Sequence, residues 1–145
     1  MRNGLDSAKP IVVEGMPGTV KTILAIYLLK MLKDYPVYKN LNIRIVEPVT
    51  SLRNTLRHAL KGVSGLSQDD IIAPADVAKS EYRCGKDFTK PFDIVLVDEA
   101  HRLKRRVNLG TQFGNFDKTN ERLGLASGST QMYWLISQSK LAVFL

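Results

Sequence analysis

This chain has little cysteine, no apolar segment at its N-terminus and no long hydrophobic run. Cys84 is its one cysteine, so an internal disulfide is excluded and no cysteine spacing predicts a metal site. Residues 1–10 contain no apolar segment of the kind that a signal peptide needs. The longest apolar run, residues 23–29, is too short to cross a bilayer. We therefore expect a soluble, cytoplasmic protein without a membrane partner.

Acidic side chains are outnumbered by basic ones. The 145 residues include 21 Lys and Arg against 14 Asp and Glu, a formal net charge of +7. Such an excess favours polyanionic partners, because Lys and Arg neutralise phosphates and release their counterions. The basic side chains concentrate in two groups: Arg53, Arg57, His58 and Lys61, and His101, Arg102, Lys104, Arg105 and Arg106. Two solvated faces explain these groups equally well, so charge alone does not identify nucleic acid as a partner.

Short strand-like segments alternate with helix-like ones along the chain. Strands are predicted at residues 11–15, 42–47, 93–98 and 141–145, and the first and last of these are expected to be buried. Helices are predicted at residues 21–33, which are apolar on almost every side, in a segment capped by Thr50 or Ser51, and at residues 130–138. Residues 68–90 are predicted to contain a short strand or helix, whose type and position stay open. Residues 104–129 are predicted to form a long irregular segment.

This alternation predicts a mostly parallel sheet that is covered by helices on both faces. The length favours one domain, residues 1–145, and we expect an α/β fold, a three-layer α/β/α sandwich. Ligands of such sheets bind at the carboxyl ends of the strands. Two polar motifs of this chain lie at predicted strand ends.

The first motif, residues 15–22, has the sequence GMPGTVKT and joins the first predicted strand to the first helix. It matches the phosphate-loop (Walker A) pattern G-x-x-x-x-G-K-[ST] except at Val20. We expect its N–H groups to bind phosphates, Lys21 to reach the β- and γ-phosphates, and the Thr22 hydroxyl to ligate Mg²⁺. The predicted nucleotide-binding residues are Gly15, Met16, Pro17, Gly18, Thr19, Val20, Lys21 and Thr22. The alternative is a Gly/Pro turn that merely joins strand to helix.

The second motif is DEAH, residues 98–101, directly after an apolar strand (a Walker B or DEAH-box arrangement). A carboxylate at such a strand end, beside a phosphate loop, holds Mg²⁺, which assigns Asp98 to the metal. Glu99 is then placed to orient and deprotonate the attacking water, so that Glu99 and Lys21 are the predicted catalytic residues. Asp93 begins the same strand and is expected at the opposite edge of the sheet.

Two residues of these motifs leave alternatives open. Val20 puts a β-branched side chain where the backbone approaches the phosphate, and such a residue tolerates positive φ poorly. Whether the loop still binds nucleotide is therefore open. His101 either couples the nucleotide site to neighbouring motifs or is a hydrogen-bonded structural histidine.

The segments VVEGMPGTVKT, NIRIVEP, FDIVLVDEAHRL and SQSKLAVFL resemble the Schlafen group 3-like DNA/RNA helicase family, over residues 10–145. Members of that family are P-loop NTPases related to superfamily 1 helicases and are often described only as a conserved domain of unknown function. The resemblance implies a RecA-like fold, ATP and Mg²⁺ as ligands, ATP hydrolysis, and single-stranded DNA or RNA as the partner. Residues 48–53 also resemble the helicase motif that contacts the nucleic-acid backbone. The alternative is that these residues form the start of an ordinary capped helix. The residues matched to the family's phosphate-loop, metal and water roles are Gly15, Gly18, Lys21, Thr22, Asp98 and Glu99.

Three departures from that family bear on activity. The first is Val20, and the second is that residues 1–10 lack the glutamine region that would recognise adenine. The third is that the chain stops in an apolar strand, before the next polar motif, the second RecA-like domain and the arginine finger. We therefore expect an incomplete domain, the N-terminal fragment of a longer ATPase or helicase, with weak or no hydrolysis by itself.

The expected function is the ATP-binding and ATP-hydrolysing core of a superfamily 1-like DNA/RNA helicase or translocase. The alternative is a nucleotide-dependent or nucleotide-dead interaction module, which Val20, the missing motifs and the lack of an aromatic-rich stacking surface favour. A small P-loop kinase is a third hypothesis. It is weaker, because a kinase needs a substrate lid and gains little from adjacent Asp and Glu residues.

Overall fold

A computed structural model describes residues 8–15, 19–79 and 91–145 of the chain. Met16, Pro17 and Gly18 of the predicted phosphate loop lie outside the described residues, as does Cys84. Within the described ranges, no helix is long and apolar enough to span a membrane.

Five strands and four α-helices are present in these ranges. The strands are β1 (Ile11–Val12), β2 (Ile43–Val46), β3 (Ile71–Ile72), β4 (Phe92–Val97) and β5 (Ser139–Phe144). The helices are α1 (Thr19–Asp34), α2 (Thr50–Leu60), α3 (Phe113–Leu123) and α4 (Gln131–Gln138). Short 3₁₀ turns occupy Gln68–Asp70, Pro74–Ala78, Ala100–Arg102 and Gly110–Gln112.

The strands form a single parallel sheet in the order β1-β5-β4-β2-β3. Strand β5, the last in the chain, lies between β1 and β4, and its Phe144 pairs with Val12 on one side and Val97 on the other. Because every pair is parallel, the carboxyl ends of all five strands meet at one edge. The parallel sheet predicted from the sequence is therefore confirmed.

Side chains alternate across the sheet and so build two separate cores. On one face, Ile45 and Leu96 belong to a buried cluster that includes residues of α1 and α2. On the other face, Val46 and Val97 belong to a second cluster with residues of α3 and α4, centred on the fully buried Trp134. Helices thus cover both faces, which confirms the three-layer α/β/α sandwich and fits a RecA-like fold.

Strand β1 and helix α1 are less buried than the sequence predicts. Ile11 and Val12 are 47% and 67% exposed, because β1 is a two-residue strand at the edge of the sheet. Helix α1 packs on the sheet through one face that contains Ala25 and Leu29. Its other face exposes apolar side chains: Val20, Ile23, Leu24, Tyr27 and Met31. The prediction that α1 packs against the sheet is confirmed, but the predictions that β1 and α1 are buried are wrong, since β1 is an exposed edge strand and α1 is covered on one face only.

The start of α2 also differs from its prediction. The capping residue is Val49, in extended conformation and without a side-chain hydrogen bond, so neither Thr50 nor Ser51 caps the helix. By contrast, α4 begins as predicted, because the Thr130 hydroxyl accepts a hydrogen bond from the Tyr133 N–H at 3.3 Å.

Residues 104–129 are not wholly irregular, since they contain α3. This helix buries Phe116, Thr119 and Asn120, which are spaced three and four residues apart, as expected for one face of a helix. Because two of these three residues are polar, the sequence shows no apolar stripe at this position. Gly124 ends it in the left-handed conformation, with φ of 67°, and its N–H donates to the carbonyls of Asn120 and Glu121. The short element predicted within residues 68–90, whose type the sequence leaves open, includes strand β3.

Candidate nucleotide site

Two acidic residues directly follow neighbouring strands at the carboxyl edge of the sheet. Glu47 follows β2 and Asp98 follows β4, and the preceding Val46 and Val97 are paired in register. The Asp98 N–H donates to the Val46 carbonyl at 3.0 Å, so pairing continues past the end of β4. The alternation that turns Ile45 and Leu96 toward α1 and α2 turns Glu47 and Asp98 toward the same helices. The two carboxyl groups are therefore neighbours on the α1 face.

The start of α1 reaches one of these acids. The Thr22 hydroxyl, in the first turn of the helix, donates a hydrogen bond of 2.5 Å to Asp98 Oδ2. Asp98 is 1% exposed, and the contact joins residues that lie 76 positions apart in the sequence. The two motifs predicted from the sequence thus meet at a partly buried contact, in which Asp98 is buried and Thr22 is half-buried.

Lys21, near the start of α1, contacts the residue at which the predicted phosphate loop begins. Its Nζ donates to the Gly15 carbonyl at 3.2 Å, in an exposed contact that brings the two described ends of the octapeptide together. The amine is therefore on the same edge of the sheet as Asp98, next to Thr22 in the sequence.

Val20 is the second residue of α1 and its side chain is 76% exposed. Among described non-glycine residues, positive φ occurs at Glu99 and Asn108 but not at Val20. The conformational objection to a β-branched residue therefore does not arise, because this position is helical. What remains is the bulk of the side chain at the start of the helix.

Glu99 has an unusual backbone conformation. Its φ and ψ are 48° and 42°, in the left-handed region, which costs an L-residue on the order of 1 kcal/mol. The turn is held by hydrogen bonds from the Arg102 N–H to the Glu99 carbonyl, at 2.8 Å, and from the Ala100 N–H to the Leu145 carbonyl, at 3.3 Å. It leads the chain away from the line of β4. Glu99 Oε2 lies 3.2 Å from Nε2 of the exposed His101, so the imidazole contacts the acid of its own motif.

Glu47 is a site residue that the sequence did not reveal. It is completely buried, its Oε1 accepts a hydrogen bond from the Val49 N–H at 2.7 Å, and its Oε2 has no hydrogen-bond partner among the described residues. Burial, opposed by the Val49 N–H and reinforced by Asp98 and Glu99, raises the pKa of Glu47 to about 7. The only available signal was an acid that ends an apolar strand just before proline.

These oxygen atoms suit a hard cation that also binds phosphate. No group of three or more His, Cys, Asp and Glu side chains within the described ranges is arranged to hold a metal ion. Mg²⁺ needs no such group, because it keeps several waters and binds through one or two carboxylates together with the phosphates of a nucleotide. The Thr22 hydroxyl beside a buried carboxylate, with an unsatisfied acid oxygen nearby, fits that chemistry.

Comparison with known families agrees with this arrangement. The profile of the Schlafen group 3, DNA/RNA helicase domain matches residues 8–145. The chain belongs to this family. No curated protein matches it. Membership in the Schlafen group 3 helicase family supports a helicase-like function in general, which depends on nucleotide and metal, and is consistent with nucleic-acid binding.

For a member of a helicase family, the basic groups are of interest, and several of their side chains have structural partners. Arg53 donates from Nη1 to the Glu47 carbonyl at 2.6 Å, and Arg57 from Nε to the Ile71 carbonyl at 2.9 Å. Arg106 makes a two-pronged pair with Asp117, at 2.7 and 2.9 Å. The density of basic residues in the sequence therefore overstates the charge that is available to a polyanion.

Asp93 lies at the far end of β4, as predicted. Its Oδ2 accepts from the Asn42 N–H at 2.7 Å, and its Oδ1 is 3.2 Å from Lys140 Nζ. These contacts close the amino edge of the sheet, so Asp93 has a structural role away from the nucleotide site.

Proposed function

We propose that the chain, residues 1–145, is the ATP-binding and ATP-hydrolysing core of a superfamily 1-like DNA/RNA helicase or translocase, with ATP and Mg²⁺ as its ligands. The observation that supports it most is the hydrogen bond from Thr22 to Asp98. Strands β1 and β4 are separated by β5, so a turn that only connected β1 to α1 would not need to bring a hydroxyl to the acid that follows β4. A ligand bound by both residues would account for this contact.

The proposed roles follow from position. Residues 15–22 bind the phosphates through backbone N–H groups at the start of α1. Lys21 leaves the Gly15 carbonyl for the β- and γ-phosphates, and Thr22 and Asp98 hold Mg²⁺, which neutralises phosphate charge when bound. Glu99 orients the attacking water and accepts its proton, and His101 sets the position of the Glu99 carboxylate.

Single-stranded DNA or RNA is the proposed partner, and the start of α2 is its candidate contact. The first N–H groups of α2 receive no side-chain cap, because Val49 stands at the capping position. Arg53 ties this turn to the strand that precedes it, through the Glu47 carbonyl. Uncapped N–H groups at a helix start bind phosphate oxygens of a nucleic-acid backbone.

The test is a titration with a fluorescent ATP analogue, with and without Mg²⁺. Lys21→Ala removes a charge-assisted contact to phosphate, and we expect a loss of affinity of about 10- to 100-fold. Lys30→Ala is the matched control. It removes the same charge from the same helix, where the one ion pair of Lys30 within the described part of the chain is an exposed pair with Asp34 at 2.7 Å, and it is expected to bind like the wild type. Equal binding by wild type and Lys21→Ala contradicts the assignment.

A second candidate is an interaction module without helicase activity. The exposed apolar face of α1, which includes Ile23 and Tyr27, and the bulk of Val20 favour it. The two candidates differ in ATPase activity. Hydrolysis that single-stranded DNA or RNA stimulates supports the helicase core, whereas the absence of saturable nucleotide binding supports the module.

A further inference from the structure

The carboxyl group of Glu47 is buried and only half satisfied. Its Oε1 is hydrogen-bonded, whereas its Oε2 has no donor among the described residues, and the side chain has no exposed surface. A buried carboxyl oxygen without a partner costs free energy, so a position like this is uncommon unless a ligand or a reaction uses it.

Glu47 is also held firmly in place. Its N–H donates to the Ile72 carbonyl at 3.0 Å, its carbonyl accepts from Arg53, and its Oε1 accepts from the Val49 N–H. These contacts tie the residue to β3 and to the first turn of α2. The position of the free oxygen, Oε2, is therefore fixed, because moving it away from its neighbours would break these hydrogen bonds.

The nearest neighbour of functional interest is Asp98. The strands that end at the two acids are in register, and the carboxyl groups are close enough for Asp98 to raise the pKa of Glu47. Asp98 Oδ2 faces the Thr22 hydroxyl. The half-buried Thr22 and the buried Asp98 and Glu47 thus contribute three oxygen-bearing side chains to one corner of the sheet.

We propose that Glu47 is a positioning residue of the metal–nucleotide site, which accepts a hydrogen bond from a water molecule on the Mg²⁺ held by Thr22 and Asp98. This inference rests on the proposed function. A water-mediated role fits better than direct ligation, because the described acids do not form a three-ligand cluster and Mg²⁺ retains its waters. A carboxyl oxygen in this position accepts a hydrogen bond and so orients the water molecules that bind the cation.

The test compares the affinity for a fluorescent ATP analogue in EDTA and in excess Mg²⁺, for wild type and Glu47→Gln. We expect the substitution to reduce the Mg²⁺-dependent gain in affinity by about 10- to 100-fold and to leave affinity in EDTA unchanged. The Mg²⁺ concentration at half-maximal binding should rise by the same factor. Asp70→Asn is the matched control, because Asp70 is also a buried acid but lies before β3, at the amino edge. It should keep the full Mg²⁺ effect.

Each outcome has a separate meaning. If wild type shows no Mg²⁺-dependent nucleotide binding, the proposed function fails. If wild type shows it and Glu47→Gln matches wild type, the role of Glu47 is overturned and the function stands. Equal losses in EDTA and in Mg²⁺ indicate a purely structural residue and also overturn the proposal. Should Glu47→Gln not fold, Glu47→Asp keeps the charge but withdraws the oxygen, and an undiminished Mg²⁺ effect in that variant again overturns it.

Discussion

The hydroxyl of Thr22 donates a hydrogen bond to the carboxylate of Asp98, from the start of α1 to the end of β4. Strand β5 lies between the strands that carry these two motifs, so the contact reaches across one strand of the sheet. A buried carboxylate that accepts a hydrogen bond from this hydroxyl is already oriented for a cation beside the phosphate loop.

Asp98→Asn is expected to abolish most of the Mg²⁺-dependent gain in nucleotide affinity, a loss of more than about tenfold. The amide keeps the shape of the side chain but removes the charge that attracts the cation. Asp93→Asn is the control in the same strand, and it should leave nucleotide affinity unchanged while lowering the free energy of unfolding by about 1 kcal/mol. A fluorescent nucleotide titration and urea denaturation measure the two effects, and similar affinities for the two variants would refute the assignment of Asp98.

Val20→Gly is expected to strengthen nucleotide binding by about tenfold, because it removes a side chain from the position where the backbone approaches the phosphate. The same change should lower the free energy of unfolding by about 0.5 kcal/mol, since glycine is a poor helix former. Val20→Ala, which removes the branch but keeps Cβ, should bind with intermediate affinity. Unchanged binding in both variants would show that Val20 does not obstruct the loop.

The free energy of unfolding in EDTA is expected to fall as the pH rises from about 5 to 8. The pKa of Glu47 is raised to about 7 by burial and by Asp98 and Glu99, with Arg53 as the basic side chain that interacts with it. The folded state therefore binds this proton more tightly than the unfolded chain. Glu47 contributes stability fully below the unfolded pKa, and the contribution disappears as the pH passes through about 7.

Glu47→Gln isolates that effect, because the amide does not titrate. Between these pH values we expect wild type to lose on the order of 2 kcal/mol more than the variant, measured by urea denaturation at each pH. Parallel pH profiles for the two proteins would show that the carboxyl group is ionised in the folded state throughout.

Asn120→Ala is expected to lower the free energy of unfolding by about 1–3 kcal/mol, because it leaves the buried indole N–H of Trp134 without its acceptor. That hydrogen bond is 2.6 Å long and joins α3 to α4. Asn115→Ala, at an exposed position of the same helix, should change stability by less than about 0.5 kcal/mol. Trp134 is the only tryptophan, so its fluorescence during denaturation reports on this packing directly. Equal stabilities would mean that water replaces the acceptor.

Several elements were predictable because their signals are local. The apolar residues 94–97 with DEAH after them predicted both β4 and the position of Asp98 at its end. Helix α3 was missed since its buried side includes Thr119 and Asn120, and polar residues interrupt an apolar pattern. Nothing local distinguishes Glu47 from any acid that ends a strand, because its burial depends on β3 and α2.

By itself, the amino-acid sequence determined the alternation of strands and helices, the octapeptide at the start of α1 and the acids after β4. Those features arise from backbone propensities and side-chain periodicity over a few neighbouring residues. Only the tertiary structure decided that β5 separates β1 from β4, that α1 leaves an apolar face exposed, and that Glu47 lies beside Asp98. Strand order and burial depend on how distant segments pack together, and that free energy is distributed over the whole core.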